Sequence, residues 1–253
     1  MMEPLVSIIT PNYNCGKYIT ETIKSVLDQS YRNWEMLIID DCSTDESRVI
    51  IKKFILKDSR IKLIKMKKNG GAALCRNKGI ELSKGKYVAF LDSDDLWIKE
   101  KLEKQIEFME KYCIDFSYSQ YTHIDENGES LKIRSRIPKS LSYKKMLFHC
   151  YTGCLTVIYN QETLGKVYGP NILKSNDYGL FLQVLKKAKK ARGIKENFAY
   201  YRIRKNSISR NKWKKIKPHL YLLNTIEKIN IFVSLFLIFT NILIKKIYKY
   251  ERG

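Results

Sequence analysis

Four times in the first 95 residues a short apolar run meets a stop of polar or acidic residues, and between the runs the apolar positions change to helical spacing. Leu5 to Thr10 ends at Pro11-Asn12-Tyr13-Asn14, and Met36 to Ile39 ends at Asp40-Asp41. Ile61 to Met66 ends at Asn69-Gly70-Gly71, and Tyr87 to Leu91 ends at Asp92-Ser93-Asp94-Asp95. Short apolar runs bounded by turn residues read as buried strands. Between them come Ile19, Ile23, Val26 and Leu27, then Val49, Ile50 and Phe54 behind a Ser43–Glu46 capping box, then Ala72 to Ser83 closed by Gly85. The alternation predicts a mostly parallel α/β sheet with helices on both faces and right-handed crossovers. In such a sheet ligands bind beyond the carboxyl ends of the strands. Thr10–Asn14, Asp40-Asp41 and Asp92–Asp95 all fall at those ends and converge on one rim.

The rhythm changes after Asp95. Ile98 to Tyr112 is an amphipathic helix with Leu102, Ile106 and Met109 on one face. Phe116 to Ile124 reads as a strand, Asp125–Gly128 as a turn, and Leu131 to Ile137 as its partner strand. Leu155 to Tyr159 is strand-like, Asp177 to Lys187 helical, and Phe198 to Ile203 a further strand. The run Ile229 to Ile244 is almost wholly apolar. At about 1.5 Å per residue it reaches roughly 24 Å, short of a ~30 Å hydrocarbon core, which favours a helix lying in a membrane interface over a span. Basic residues flank it: Arg202, Arg204, Lys205, Arg210, Lys212, Lys214, Lys215 and Lys217 before, Lys245, Lys246 and Lys249 after. An apolar anchor with a basic cluster is the two-signal arrangement of stable membrane attachment.

The 253 residues suffice for one large domain or a core with a small appendage. The net charge of +21 attracts polyanions, whether nucleic acid, anionic lipid or phosphorylated substrates, although abundant Lys, Ile and Asn also match an AT-rich coding bias. Cys15, Cys42, Cys75, Cys113, Cys150 and Cys154 form no C-x-x-C pair. We expect reduced thiols in a cytosolic protein. Met1 to Thr10 has no basic n-region and does not read as a signal peptide. His123, His149 and His219 lack metal-ligand spacing.

Asp92, Asp94 and Asp95 are crowded, and repulsion between them calls for a cation. Hard oxygen donors suit Mg²⁺ or Mn²⁺, and Mg²⁺ is held by one or two carboxylates plus substrate phosphates. A metal there neutralises a diphosphate leaving group.

Four stretches resemble glycosyltransferase family 2: Val6–Asn14, Ile38–Asp45, Ala73–Gly79 and Phe90–Asp95. The second half is similar to bacterial capsule, exopolysaccharide and teichuronic-acid members through Gly153–Thr156, Asn176-Asp177-Tyr178 and Tyr201-Arg202…Ser207–Lys212. The resemblance implies a Rossmann-like GT-A fold and inverting transfer from a nucleotide-sugar, typically a UDP-sugar. The implied acceptor is a saccharide or lipid-linked saccharide. Pro11 and Tyr13 then line the base, Asp41 bonds it with Asp40 beside it, and Arg76 lies near the nucleotide. Asp92-Ser93-Asp94 is the D-x-D segment for ribose and metal (Mn²⁺ or Mg²⁺), with Asp95 as a further metal candidate. Asp177 corresponds to the general base; members often carry Glu where Asn176 stands.

The expected organisation is a glycosyltransferase domain over 1–217 (donor half about 1–97, acceptor half about 98–217). A helical, membrane-associating segment over 218–253 follows, placing the protein at the cytoplasmic face of a membrane. Two other readings have weaker support. A nucleotidyltransferase needs a glycine-rich loop where Pro11-Asn12-Tyr13-Asn14 stands. A non-catalytic relative has no reason to keep Asp92, Asp94 and Asp177 together. No nucleic-acid-binding motif is present.

Overall fold

The computed structural model describes residues 3–204, 216–247 and 251–252. The first half alternates as the apolar runs predict: β1 (Val6–Asn12), α1 (Gly16–Leu27), β2 (Trp34–Asp40), α2 (Ser47–Ile55), β3 (Ile61–Lys65), α3 (Gly71–Leu82) and β4 (Tyr87–Phe90). The strands lie in the order β3-β2-β1-β4, all parallel, so the chain steps outward to β3 and then returns to the other side of β1. That reversal makes the carboxyl ends of β1 and β4 a topological switch point, where open α/β sheets place their ligands.

Beyond β4 come β5 (Leu96–Trp97), α4 (Lys101–Lys111), β6 (Phe116–Ile124), β7 (Ser130–Arg134), β8 (Ser140–Ser142) and α5 (Tyr143–Phe148). A 3₁₀ turn (Cys154–Thr156) leads to β9 (Ile158–Asn160), α6 (Gln161–Leu164), α7 (Asn176–Ala188) and β10 (Lys190–Arg202). β9 pairs antiparallel with both β4 and β6, and so carries the sheet from the parallel half into the second half. β10 runs parallel to β6 and antiparallel to β5, tying the second half back to the residues just after Asp95. The chain closes with α8 (Ile216–Tyr221), a π-helical turn (Leu222–Ile226), α9 (Ile231–Ile247) and the short β11 (Glu251–Arg252), which pairs with β7.

Strand alternation divides the core into two layers. Ile8 and Ala89 face α1, α2 and α4 through Ile19, Ile23, Ile51, Leu102 and Ile106. Ile9, Val88 and Phe90 face α3 and α7 through Ile80, Phe181 and Val184. Trp34 and Trp97 are buried in the first layer.

Several local expectations are corrected. Ser43 and Glu46 form no capping box: α2 starts at Ser47 with Glu46 as an N-cap that makes no side-chain bond. The Ser43 hydroxyl is instead held at the sheet rim, where it accepts from Asn12 Nδ2 and from the Asn14 amide, both at 3.1 Å. Val49 is 57% exposed; Ile51 fills the core position. Gly85 does not cap α3, which ends at Ser83 in an extended conformation. Gly85 is needed for close approach, since a Cβ there would lie 2.6 Å from the Leu5 carbonyl oxygen and the Ser7 nitrogen. Leu155 belongs to the 3₁₀ turn rather than to a strand. All six cysteines are free. Ser207 to Lys212, Lys205, Lys214, Lys215 and Lys249 lie outside the described residues.

Candidate active site

The rim above β1, β2 and β4 is organised by Asn12. Parallel register sets it beside Asp40. Its side-chain amide donates to Asp40 Oδ1 at 2.9 Å and reaches Ser43 Oγ at 3.1 Å and Ser47 Oγ at 3.2 Å. Asp40 is buried, accepts from the Ser43 amide at 3.1 Å and pairs with Arg48 at 3.2 Å. The loop after β1 is pinned by Asn14, in the left-handed region at φ 47°, whose side-chain oxygen accepts from the Thr44 amide at 2.8 Å. Left-handed backbone is one of the conformations Asn tolerates. Held between these anchors, Pro11 sits at the rim and the Tyr13 ring stands 53% exposed beside it.

Asp41 closes the other side of this hollow. One carboxylate oxygen accepts from the Gly70 amide and the other from the Gly71 amide, each at 2.7 Å. These are unpaired N–H groups at the start of α3, where a negative charge is favoured. Gly71 has φ +79°, a conformation that suits glycine. The Cys75 thiol bonds the same carboxylate, which leaves about one acceptor site for a further donor.

Arg76 joins the two halves of the site. It projects from α3, buried, and donates to Asp92 Oδ1 and to Asn176 Oδ1, both at 2.5 Å. Asn176 is the first residue of α7 and Asp177 the second, so one guanidinium fixes the start of that helix against the D-x-D segment. Nearby acidic groups, Asp92 foremost and Asp177 among them, hold Arg76 firmly protonated despite its burial. Arg76 Nε is buried without a partner among the described residues. Cys154 lies in the same field; burial pushes its thiol well above the ordinary range, and Asp92 and Asp177 add to the shift against Arg76.

The three acidic residues after β4 face differently. Asp92 keeps about a third of its side chain exposed. Asp94 pairs with Arg204 Nε at 2.8 Å. Burial raises its carboxyl, Arg204 opposes the shift and Asp92 adds to it. Asp95 is only 1% exposed and turns inward, accepting from the Arg202 amide at 2.9 Å. Burial and its two acidic neighbours raise Asp95 well above the carboxylate range. Ser93 is buried and bonds Cys15, whose sulfur also receives Arg204 Nη1 at 3.7 Å.

The Asp92–Asp94 pair fits a divalent cation that is shared with a bound diphosphate. Each carboxylate has one oxygen on an arginine and spare acceptor capacity on a hard donor. Burial, with the Asp92 charge added against Arg204, disfavours the charge on Asp94, which a cation would restore. Among the described residues no group of three or more His, Cys, Asp or Glu side chains forms a complete metal cage. Two carboxylates completed by phosphate oxygens are the usual arrangement for Mg²⁺.

Sequence reasoning grouped Arg202 and Arg204 with the basic cluster of a membrane segment. The structure assigns both to this site. Arg202 is buried, reaching Glu21 at 2.6 Å and the Asp94 carbonyl at 2.9 Å. Arg202 ends β10 and Arg204 lies beyond it, and no spacing in the sequence sets them apart from the basic run that follows.

Residues 7–167 match the family model described as glycosyl transferase family 2. A Bacillus subtilis (strain 168) protein bearing the name of a teichuronic acid biosynthesis glycosyltransferase, TuaG, is 45% identical over 90% of this chain and 90% of its own length. The Escherichia coli UDP-Glc:alpha-D-GlcNAc-diphosphoundecaprenol beta-1,3-glucosyltransferase WfaP is 40% identical over 98% of this chain and 97% of its own. The crystal structure of S. aureus TarS 1-349 in complex with UDP superposes with a TM-score of 0.67 at 25% identity, covering 86% of this chain. This chain spans 64% of that crystallised one, less than two thirds. With a family model matched over most of the chain, two full-length relatives and a GT-A neighbour, this chain belongs to glycosyltransferase family 2 and is a glycosyltransferase with the GT-A fold.

Proposed function

We propose that the protein transfers a sugar, with inversion, from a UDP-sugar to a hydroxyl of a lipid-linked saccharide in the synthesis of a bacterial surface polysaccharide, with Mn²⁺ or Mg²⁺ at Asp92 and Asp94. The observation that supports this reading is the Arg76 bridge from Asp92 to Asn176, which ties the first residue of α7, next to Asp177, to the D-x-D segment at the switch point of the sheet. A beta-forming WfaP and a UDP-bound TarS support the stereochemistry and the nucleotide. The diphospholipid in the WfaP name and the teichuronic acid in the TuaG name support the acceptor and the pathway class. A lipid-linked acceptor puts the reaction at the cytoplasmic face of a membrane.

Each side chain has a task in that reaction. Tyr13 stacks on the base over Pro11. Asp41, with its one remaining acceptor site, accepts from the base edge, while buried Asp40 holds the loop through Asn12 and Ser43. Ser93 keeps the D-x-D turn on Cys15. When bound, the divalent ion offsets the charge that develops on the departing diphosphate. Arg76 and Arg204 lie on the same carboxylates and add positive potential where that charge appears. Asp177 takes the proton of the attacking hydroxyl, a role open to a carboxylate within about 3 Å of it. Buried Asp95 holds the strand end in place rather than a metal.

Calorimetric titration with UDP, GDP and CMP, each with Mn²⁺ and with EDTA, tests the donor site. Binding of UDP alone, and only with Mn²⁺, is the expected result. Binding of none of the three overturns the reading.

A further inference from the structure

The last helix has its polarity turned inside out. In α9 the polar Ser234 and Asn241 are buried, while Phe232, Phe236 and Phe239 stand 78%, 57% and 59% exposed. A helix that borders water buries its apolar stripe and exposes its polar one. α5 and α8 pack beside α9 and continue the exposed apolar surface with Phe148 and Tyr221. Among the described residues of these three helices and the turn before α9, the outward charges have one sign. Lys144, Lys145, Lys217 and Lys228 are exposed around it, and α5, α8 and α9 contain no Asp or Glu. Glu227, the one acid in residues 216–247, is turned inward to Lys186 and Gln183, both at 2.7 Å, and to Tyr143.

We infer that this face docks on an anionic lipid surface, with α9 lying flat in the interface. The three phenylalanines enter the acyl boundary and the four lysines meet headgroup phosphates. Positive charge without outward acids is the complement of an anionic leaflet and would repel a second copy of the same face. Lying flat follows from length. The 17 residues of α9 reach roughly 25 Å, under the ~30 Å core. Among the described residues no helix is long and apolar enough to cross a membrane.

The patch is built on the elements that hold the acceptor half. Tyr178, next to Asp177, donates its hydroxyl toward the Met146 and Leu147 carbonyls of α5 at 3.1 and 3.3 Å. Its ring lies 5.2 Å from that of His219 in α8. A surface formed by α5, α8 and α9 thus presents lipid beside the residue that receives the acceptor. The choice of lipid as occupant rests on the lipid-linked acceptor reading; the reversed polarity of α9 does not.

Flotation of the full-length protein with phosphatidylcholine vesicles, with and without phosphatidylglycerol, tests the inference. The wild type should float with the anionic vesicles. The triple variant Phe232→Ser, Phe236→Ser, Phe239→Ser should remain in the soluble fraction. The double variant Lys144→Glu, Lys217→Glu should bind anionic vesicles roughly tenfold more weakly or worse. Flotation needs no turnover, so it reports on the surface even if no donor is ever bound. Flotation of the serine variant like wild type overturns the inference. So does a wild-type dimer in light scattering that the serine variant loses, because that result makes the face a protein interface.

Discussion

At the scale of single residues, the site depends on cations held against carboxylates. Asp92 and Asp94 each have an arginine, Arg76 from α3, 16 residues before Asp92, and Arg204 from just beyond β10. Burial raises the Asp94 carboxyl, Arg204 opposes the shift and Asp92 adds to it, so a cation bound at Asp94 would favour its charged form. Asp94→Ala is predicted to abolish the metal dependence of UDP affinity, so that titrations with Mn²⁺ and with EDTA coincide. A variant that keeps the full Mn²⁺ effect places the metal elsewhere. Of the proposed site residues, Asp92 and Asp94 were legible in the sequence as an acidic stop after an apolar run, and Arg76, inside α3, and Asp177 only through the family resemblance. The roles of Arg204, Cys15 and Asn12 were not. A basic residue in a basic stretch looks like surface until a buried carboxylate is found opposite it, and that pairing spans more than a hundred residues of chain.

At the scale of elements, the parallel half was readable because apolar runs and helical spacing alternate without interruption. The second half was less so. The 13-residue β10 begins Lys190-Ala191-Arg192, too charged to read as a strand, and is held there by antiparallel pairing with β8 and, from Arg192 on, by parallel pairing with β6. The short helices α5 and α6 have no periodic signal long enough to detect. Helix α4 contains a further feature no pattern announces. Lys101 is fully buried, donates to Gln105 Oε1 at 2.8 Å and lies 4.4 Å from the Trp97 ring. Burial lowers its pKa from 10.5 to about 7. Below about pH 7 both folded and unfolded chains carry the proton, and the burial penalty is constant. Between about pH 7 and 10.5 only the unfolded chain binds it, so this residue's contribution to stability improves as pH rises. The stability of Lys101→Met relative to wild type should therefore decline by about 1 kcal/mol per pH unit across pH 7.5 to 9.5 in urea unfolding. A pH-independent difference shows that Lys101 keeps its proton on folding.

At the scale of the whole molecule, one rim gathers the chemistry and one face has the composition of a membrane contact. On the proposed reading the nucleotide lies between Asn12, Asp41 and the Asp92–Asp94 turn, and Arg76 ties Asn176 at the start of α7, next to Asp177, to Asp92. The central claim is that Asp177 deprotonates an acceptor for direct displacement at the anomeric carbon. The most direct test is to supply a UDP-α-sugar and a saccharide acceptor with Mn²⁺, then read the anomeric configuration of the product by NMR for wild type and Asp177→Asn. The account predicts a β-linked product from the wild type. For the variant it predicts transfer at least roughly a hundredfold slower, with UDP binding unchanged. An α-linked product, or a variant that transfers at the wild-type rate, contradicts it.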